Sequence, residues 1–274
     1  MPFDSTDHYE NFPVGSVLLP LRLRKPVSVI YRFARSADDI ADEGDADSAT
    51  RLRHLEEYKR ELDRIEQEQQ PQSPLFRDLA DIVRRYRLPL APLRDLLSAF
   101  SQDVVKTRYA NFSELMDYCN RSANPVGRLL LYLFGRTADQ EVAWSDAICS
   151  SLQLINFWQD IAIDWQKGRV YLPLDDMAGH GVDESHIARG HVDARWLRLM
   201  AFQIARSRTM LESGAQLGRV LPGRIGLEIR TIIAGGRTIV GKLEASGGDV
   251  FRHRPRLRLR DWPAIVSYAF FARP

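Results

Sequence analysis

Apolar residues recur at intervals of three and four along almost the whole chain, and this spacing most constrains how the chain can fold. Val29, Phe33 and Ala37, for example, fall on one face of a helix. Period-two alternation, which is typical of half-buried strands, is confined to short stretches such as RLRLR at 256–260. The sequence therefore predicts an all-α protein, and 274 residues suffice for a large helical core.

Capping and turn signals divide this pattern into helices. Pro26 is expected in the first turn of a helix that ends after Asp42, where Gly44 stops it. Ser73 is the predicted N-cap of a later helix, with Pro74 at its first position. The predicted helices after the first one cover about 48–67, 74–86, 90–105, 113–122, 125–135 and 145–165, short segments within 174–190, long segments near 193–217 and 222–246, and a last one after residue 262.

The composition of the chain limits its class and its partners. No Pro-, Gly- or Ser-rich linker divides it, so one domain over residues 1–274 is expected. The formal net charge is only +2, yet Arg outnumbers Lys 33 to 5. This bias is typical either of bidentate contacts to phosphate or carboxylate or of genome composition, and it does not favour nucleic-acid binding.

Targeting signals and cysteine usage predict a cytoplasmic protein that is soluble or peripheral on a membrane. The N-terminal residues lack the order of a signal peptide, and no apolar run reaches the ~18 residues of a membrane span. Cys119 and Cys149 form no framework of several cysteines, which favours a reduced setting. The basic segment at 252–262 fits either contact with an anionic membrane surface or a solvated strand or loop beside the site.

Two aspartate pairs with the same four-residue spacing carry most of the chemical information, Asp38/Asp42 in ARSADDIAD and Asp160/Asp164 in NFWQDIAID. Four residues advance a helix by slightly more than one turn, so both carboxylates of a pair point the same way. Like charges at this spacing cost a helix about 0.2–0.5 kcal/mol, and unpaired burial costs more, so a compensating cation is expected. A solvated surface explains one such pair alone, but two pairs beside apolar helix faces favour a site.

The oxygen-rich surroundings of these pairs indicate the kind of cation. Asn156 precedes Asp160 by four residues, so one stripe of helix offers an amide oxygen and two carboxylates. Such ligands favour Mg²⁺, which is usually bound together with phosphate. Arg35, three residues before Asp38, can form an intrahelical salt bridge or reach a bound diphosphate. The sequence therefore predicts Mg²⁺-assisted ionisation of a diphosphate beside a water-poor apolar cavity.

The sequence lacks the motifs of several other enzyme classes. It contains no GxxxxGK[ST] loop, no GxGxxG fingerprint and no HExxH. His180, His186 and His191 lie in a polar stretch without partners for a zinc site, so they are expected at the surface. Pro125 interrupts an apolar helical segment, which fits either the lining of a pocket or ordinary helix packing.

Three segments together resemble the squalene/phytoene synthase family, the head-to-head branch of the all-α isoprenoid synthases: YRFARSADDIAD, DYCNRSANPVG and LQLINFWQDIAIDWQKGRVYLP. The resemblance runs from HYENFPVGS at 8–16 to VFRHRP at 250–255 and implies a helical bundle with a central apolar cavity. The functional residues that it implies are a set for Mg²⁺ (Asp38, Asp42, Asn156, Asp160 and Asp164), a set for the diphosphate (Arg35, Gln153 and Arg254) and a tyrosine of the catalytic region (Tyr118).

Two positions depart from the family pattern. The family commonly has Arg immediately before the second acid motif, where this chain has Gln159, and Ala-Gly-X-Val-Gly where residues 123–127 read Ala-Asn-Pro-Val-Gly. The lost charge argues against ordinary condensation of two farnesyl chains, and the amides of Asn124 and Gln159 are candidates to hold a water. These departures resemble the branch of hopanoid biosynthesis that converts presqualene diphosphate and water to hydroxysqualene and diphosphate.

Two alternative functions stay open at this point. The first is a condensing synthase that joins two prenyl diphosphates into presqualene diphosphate, dehydrosqualene or phytoene. The second is a non-catalytic helical assembly protein on the same fold, which would have little reason to keep both acid pairs. For an enzyme, the implied partners are presqualene diphosphate as substrate and the sequential enzymes of squalene synthesis.

Overall fold

Helices connected by short loops make up the protein in a computed structural model that describes residues 19–271. This range contains no β-strand, and one isolated bridge joins Arg108 and Val170, so the all-α prediction is confirmed. The family motif at 8–16 lies outside the described residues. The helices are Leu21–Asp42 (α1), Ser48–Glu66 (α2), Pro74–Tyr86 (α3), Ala91–Asp103 (α4), Phe112–Ser122 (α5), Asn124–Phe134 (α6), Asp139–Gln166 (α7), Leu174–Gly179 (α8), Glu184–Arg189 (α9), Ala194–Gly214 (α10), Leu217–Val220 (α11), Gly223–Ala245 (α12) and Trp262–Phe271 (α13).

The first helix starts earlier than predicted and contains Pro26 in its interior. The prediction that Pro26 lies in the first turn is therefore wrong. A proline inside a helix leaves the carbonyl four residues earlier without its usual amide donor. Here that carbonyl belongs to Arg22, and its oxygen accepts a hydrogen bond from the Tyr86 hydroxyl at 3.2 Å. A tertiary contact from α3 thus replaces the missing backbone bond, which local signals do not reveal.

Most other boundaries follow the predicted caps. Gly44 has a φ of +76° just after α1, a conformation that favours glycine. The Ser73 side chain accepts the Phe76 amide at 3.4 Å, with Pro74 in the first turn of α3. Pro125 lies in the first turn of α6, where its missing amide costs nothing. The break between α5 and α6 is therefore where the sequence places it.

The core consists of two hydrophobic clusters. One is formed mainly by α1–α4, and the other by α7, α10 and α12 with their neighbours. Phe134 and Ile225 pack against both clusters, which supports the proposal of one domain. The pair α7 and α10 approaches closely because α10 ends with Gly214, where an added Cβ would lie 2.5 Å from the Trp144 carbonyl oxygen. This packing fixes the half of α7 that follows, which carries Asn156 and the second aspartate pair.

The structure also bears on three predictions about the surface. Within residues 19–271, no helix has the length and apolar character needed to cross a membrane. The basic segment after Gly248 is irregular apart from a short 3₁₀ turn at Leu259–Asp261. The prediction that His186 lies at the surface is wrong, because α9 turns this ring inward and leaves it 6% exposed.

Candidate active site

The two aspartate pairs lie on the C-terminal halves of α1 and α7 and wall one polar cavity of about 170 Å³. Asp38 and Asp42 come from α1, and Asp160 and Asp164 from α7. The fold therefore brings together, around one cavity, carboxylates that are far apart in sequence. The other residues that line this cavity are Asp103, Tyr118, Gln153, Asn156, Phe157, Lys167, Arg169 and Tyr171.

A second, larger cavity of about 630 Å³ adjoins the polar one between the two hydrophobic clusters. Its walls are mostly apolar side chains from α1, α6, α7 and α12. The lining residues shared by both cavities are Asp38, Tyr118, Gln153, Asn156 and Asp160. The predicted central apolar cavity is therefore present, and its polar end fits the anionic head of a ligand with a long hydrocarbon tail.

One carboxylate of each pair is bound by an arginine from elsewhere in the chain. Arg169 forms a bidentate ion pair with Asp42, at 2.8 Å and 2.6 Å. Arg254 binds Asp160 through Nε and Nη2, the latter at 2.9 Å. The resemblance implied a diphosphate contact for Arg254, but the structure places its guanidinium on an acid of the site and outside the linings of both cavities.

The other carboxylate of each pair is half-buried and lies near a further carboxylate. Burial, with the nearby Asp42 carboxylate, raises the pKa of Asp38 to about 6. Burial, with the nearby Asp160 carboxylate, raises the pKa of Asp164 to about 7. In both cases the loss of solvent is the larger cause of the raised pKa, and the neighbouring carboxylate adds to it. Four carboxylates and the Asn156 amide form an oxygen donor set, and these residues fit Mg²⁺.

Arg35 lies beside the first pair and lines the larger cavity. Its guanidinium contacts Asp38 at 3.2 Å, Asp39 at 2.7 Å and Glu43 at 2.9 Å. The intrahelical salt bridge considered from the sequence is thus formed. Gln153 and Asn156 lie one turn apart on α7 and line both cavities, as expected for residues that contact a ligand head group.

Tyr118 occupies the junction of the two cavities and is 4% exposed. Its hydroxyl donates a hydrogen bond of 2.6 Å to the Asp103 carboxylate. Burial raises the pKa of Asp103 to about 7. Phe157 and Tyr171 stack at 3.8 Å beside this pair. Tyr118 is therefore held in one orientation at the boundary between the charged and the apolar region.

Sequence reasoning missed Asp103 and Arg169. The backbone amide of Val170 donates to the Thr107 carbonyl at 3.0 Å, which places Arg169 next to the end of α4. Arg169 also donates to the Asp103 carbonyl oxygen at 3.2 Å. A signal was present in each case: an acid at the end of a predicted helix, and an arginine five residues after Asp164.

The two amides expected to hold a water lie behind the cavity walls. Asn124 donates to the Asn120 side chain and accepts from the Ser150 hydroxyl, both at 2.8 Å. Gln159 donates to the Pro255 carbonyl oxygen at 2.7 Å. Neither residue lines either of the two cavities. The sequence predicted that both amides hold a water in the cavity. In the structure both amides instead bind protein groups behind the cavity walls.

Ser122 is a polar lining residue that the sequence did not single out. It is the last residue of α5, just before the break at Pro125, and it faces the larger cavity. Its hydroxyl oxygen is buried and has no hydrogen-bond partner within the described part of the chain. A buried hydroxyl without a partner is costly, so this oxygen is suited to bind a small polar molecule inside the cavity.

Comparisons with known proteins identify the family of the chain. The family model described as squalene/phytoene synthase matches residues 5–262. A hydroxysqualene synthase from Rhodopseudomonas palustris is 35% identical over 243 residues, which cover 87% of this chain and 81% of that protein. A phytoene synthase from Arthrospira platensis is 32% identical over 266 residues, which cover 91% of this chain and 84% of that protein.

Solved structures show the same architecture. The squalene synthase HpnC from Alicyclobacillus acidocaldarius superposes with a TM-score of 0.82 at 33% identity, covering 88% of this chain and 90% of that one. A dehydrosqualene synthase in complex with ligand has a TM-score of 0.81 at 22% identity, covering 92% of this chain and 87% of that one, and supports the fold alone. The chain therefore belongs to the squalene/phytoene synthase family.

Proposed function

We propose that this member of a family of head-to-head prenyl diphosphate synthases converts presqualene diphosphate and water to hydroxysqualene and diphosphate, with Mg²⁺, in squalene and hopanoid biosynthesis. One observation carries the proposal: a cavity walled by two acid pairs shares its lining with an apolar cavity of about 630 Å³. The similarity to the hydroxysqualene synthase from Rhodopseudomonas palustris supports the specific reaction.

The head group of the substrate would lie between α1 and α7. Asp38, Asp42, Asn156, Asp160 and Asp164 are the residues proposed to hold Mg²⁺, which when bound neutralises the departing diphosphate. Arg35 and Gln153 line the cavity beside these acids and are proposed to orient the diphosphate. Arg254, through its ion pair with Asp160, positions that carboxylate and supplies a nearby positive charge.

The apolar cavity protects the carbocation that remains after ionisation. Its walls exclude bulk water, so a single water can be admitted at a defined place. The buried hydroxyl of Ser122 is the lining group that we propose to hold this water. Tyr118 lines both cavities, and its hydroxyl is bound to Asp103. Asn124 and Gln159 keep the neighbouring segments in place.

The decisive experiment supplies presqualene diphosphate and Mg²⁺ to the purified protein without a reductant. We expect hydroxysqualene in the lipid extract, and about 10²–10³-fold slower formation of it by the Asp160→Asn variant. Absence of hydroxysqualene, together with product from farnesyl diphosphate alone, would contradict the proposal. Ser122→Ala tests the water: we expect it to lower the share of hydroxysqualene among the products while ionisation of the substrate continues.

The second candidate is a condensing synthase that joins two prenyl diphosphates. The similarity to the phytoene synthase from Arthrospira platensis, which covers 91% of this chain, favours this alternative. Incubation with farnesyl or geranylgeranyl diphosphate distinguishes the two, because only a condensing enzyme forms presqualene diphosphate, dehydrosqualene or phytoene from them. Enzymes that supply presqualene diphosphate and consume hydroxysqualene are the expected neighbours in the reaction sequence.

We also propose peripheral contact of the C-terminal surface with an anionic membrane. Three large apolar side chains there are exposed: Leu259 is 89% exposed, Phe270 63% and Phe271 77%. Arg258 and Arg260 are exposed in the same segment. Apolar side chains beside arginines are typical of surfaces that bind anionic lipid headgroups.

Co-sedimentation with vesicles tests this contact. We expect binding to vesicles that contain anionic lipid, weaker binding at high salt, and a loss in the double variant Phe270→Ser and Phe271→Ser. Val105→Ser is the matched control, since Val105 is 66% exposed on a different part of the surface. Equal binding of both variants would contradict the proposed contact.

A further inference from the structure

A second group of metal-binding side chains lies where α9 leads into α10, formed by His186, His191 and Asp193. One candidate ligand atom from each residue lies within 4.8 Å of the other two. The sequence between residues 186 and 193 reads HIARGHVD, and two histidines separated by three to five residues are a spacing found in zinc sites.

The His186 ring has the environment of a metal ligand. It is 6% exposed, and its Nδ1 lies 2.9 Å from the Asp183 carboxylate. An ionised carboxylate can only accept, so Nδ1 carries the proton and Nε2 keeps its lone pair. Metal-bound histidines usually donate their other ring N–H to such a carboxylate. The longer contact from the Asp183 amide to Nδ1, at 3.3 Å, would require the opposite tautomer.

The second nitrogen of His186 lacks a partner. Nε2 is buried and has no hydrogen bond within residues 19–271. The Asp193 carboxylate lies at 3.7 Å, which is beyond hydrogen-bond length. The His191 ring lies alongside, with 5.7 Å between the two ring centroids. The free lone pair of His186 Nε2 therefore lies close to two further candidate ligands, His191 and Asp193.

The remaining ligands can reach a metal without disturbing the fold. The Oδ1 atom of Asp193 caps α10 by accepting the Arg195 and Trp196 amides at 2.9 Å and 3.0 Å, which leaves Oδ2 for a metal. Oδ2 now binds the Arg195 guanidinium, whose side chain is 49% exposed, and an exposed ion pair contributes little to stability. His191 is exposed, so its ring is free to rotate and the site is open to solvent.

We propose that His186, His191 and Asp193 bind a divalent transition metal of the zinc type, with Asp183 orienting His186 and with water completing the coordination. Two imidazoles favour such a metal over Mg²⁺, and Zn²⁺ takes three or four ligands at about 2.0–2.2 Å. The site is distinct from the acid pairs of α1 and α7, and it does not depend on the proposed function.

The metal would stabilise a part of the fold that supports the active site. Gly190, between the two histidines, faces Phe251 closely: an added Cβ would lie 3.3 Å from the Phe251 Cβ. Three residues further on, Arg254 reaches Asp160. A metal that fixes the α9–α10 connection therefore also fixes the base of the segment that carries Arg254.

Metal binding is tested by equilibrium dialysis against Zn²⁺ in excess Mg²⁺, which competes with Zn²⁺ for sites made of carboxylates alone. We expect about one Zn²⁺ per chain, a higher melting temperature with Zn²⁺, and with Co²⁺ the visible absorption of a tetrahedral imidazole site. His191→Ala should abolish all three signals, because it removes an exposed ligand without disturbing the core. Asp183→Asn should weaken Zn²⁺ binding about 10-fold or more by removing the group that orients His186.

His54→Ala is the matched control, since His54 is a half-buried histidine on α2, outside the cluster. It should bind Zn²⁺ as the unchanged protein does. No stoichiometric Zn²⁺ in excess Mg²⁺ would overturn the proposal. Binding that persists unchanged in His191→Ala would overturn it as well, because the metal would then lie elsewhere.

Discussion

The active site has two walls, α1 and α7, and each carries a pair of aspartates. The order of the two kinds of aspartate along the helix is reversed between the walls. On α1 the later acid, Asp42, is bound by Arg169, and the earlier one, Asp38, is half-buried and has a raised pKa although Arg35 contacts it at 3.2 Å. On α7 the earlier acid, Asp160, is bound by Arg254, and the later one, Asp164, is half-buried and has a raised pKa. Each wall therefore offers one carboxylate held by a distant arginine and one with a raised pKa.

The difference lies in where the arginines come from. Arg169 follows α7 directly and is fixed by the backbone bridge at Val170. Arg254 comes from the irregular segment before α13, which Gln159 holds through the Pro255 carbonyl. The acid of α1 is thus paired with an arginine that follows the other acid pair in sequence, whereas the acid of α7 is paired with an arginine from a segment near the C-terminus. Both acid pairs have the same helical spacing, so the spacing does not determine which arginine binds each pair.

The largest expected effect comes from neutralising one acid on each wall. Asp38→Asn and Asp160→Asn should each lower kcat by about 10²–10³-fold, because each removes a charge that acts on the departing diphosphate. Product formation and thermal stabilisation by Mg²⁺ with a diphosphate analogue measure this. Asp81→Asn, which changes an acid that is 73% exposed on α3, is the control. Full activity in either site variant would show that the two walls are not equivalent.

The arginines should differ in their effect on stability. Arg169→Met leaves Asp42 without its partner and removes the bond to the Asp103 carbonyl, so we expect a loss of about 3 kcal/mol in the free energy of unfolding. Arg254→Met should cost about 1–2 kcal/mol, because it breaks the ion pair with Asp160. Urea denaturation of the metal-free protein measures both. The reverse order would contradict the proposed difference between the walls.

The pH dependence of stability depends on three acids with raised pKa values, which are Asp38 on α1, Asp164 on α7 and Asp103. Burial raises the pKa of Asp38 to about 6 and the pKa of Asp103 and Asp164 to about 7, above the ordinary value of 3.8. Between these values the folded protein binds more protons than the unfolded chain, so stability falls as pH rises through about 4 to 7.

The metal-free protein should therefore melt a few degrees lower at about pH 7.5 than at about pH 5.5. Mg²⁺ with a diphosphate analogue should reduce this difference, because a bound cation favours the charged carboxylates. Scanning calorimetry at both pH values measures the effect. Asp164→Asn should remove the contribution of Asp164 to the pH dependence of stability and leave those of Asp38 and Asp103. An unchanged pH dependence would contradict the raised pKa of Asp164.

The smallest effect is expected at Gln159. Gln159→Leu removes the donor to the buried Pro255 carbonyl, which should cost about 1–2 kcal/mol and loosen the segment that carries Arg254. We expect a modest fall in kcat/KM that added Mg²⁺ partly restores. Gln216→Leu, at an exposed position, is the control. A variant without any loss of stability would show that the α7 wall does not depend on this bond.

Prediction from the sequence succeeded where local signals act alone. Most helices after α1 follow the predicted boundaries closely, because caps such as Ser73 and breaks such as Pro125 act within a few residues, whereas α7 starts six residues earlier than predicted. It failed at Pro26, where Tyr86 satisfies the carbonyl that proline leaves free. It failed in the same way at His186, which a short helix turns inward. The first error comes from a contact between residues distant in sequence. The second comes from the direction in which one short helix points its side chain.

For the site, the sequence by itself determined the ligand types and their spacing: two acid pairs at four-residue intervals on helices, with Asn156 and Gln153 on the second helix. These follow from the geometry of one helix. Only the tertiary structure decided which arginine balances which acid, that Asp103 joins Tyr118, and that Asn124 and Gln159 lie behind the walls. The reason is physical: side-chain partners across helices depend on packing, which spacing along one helix does not specify.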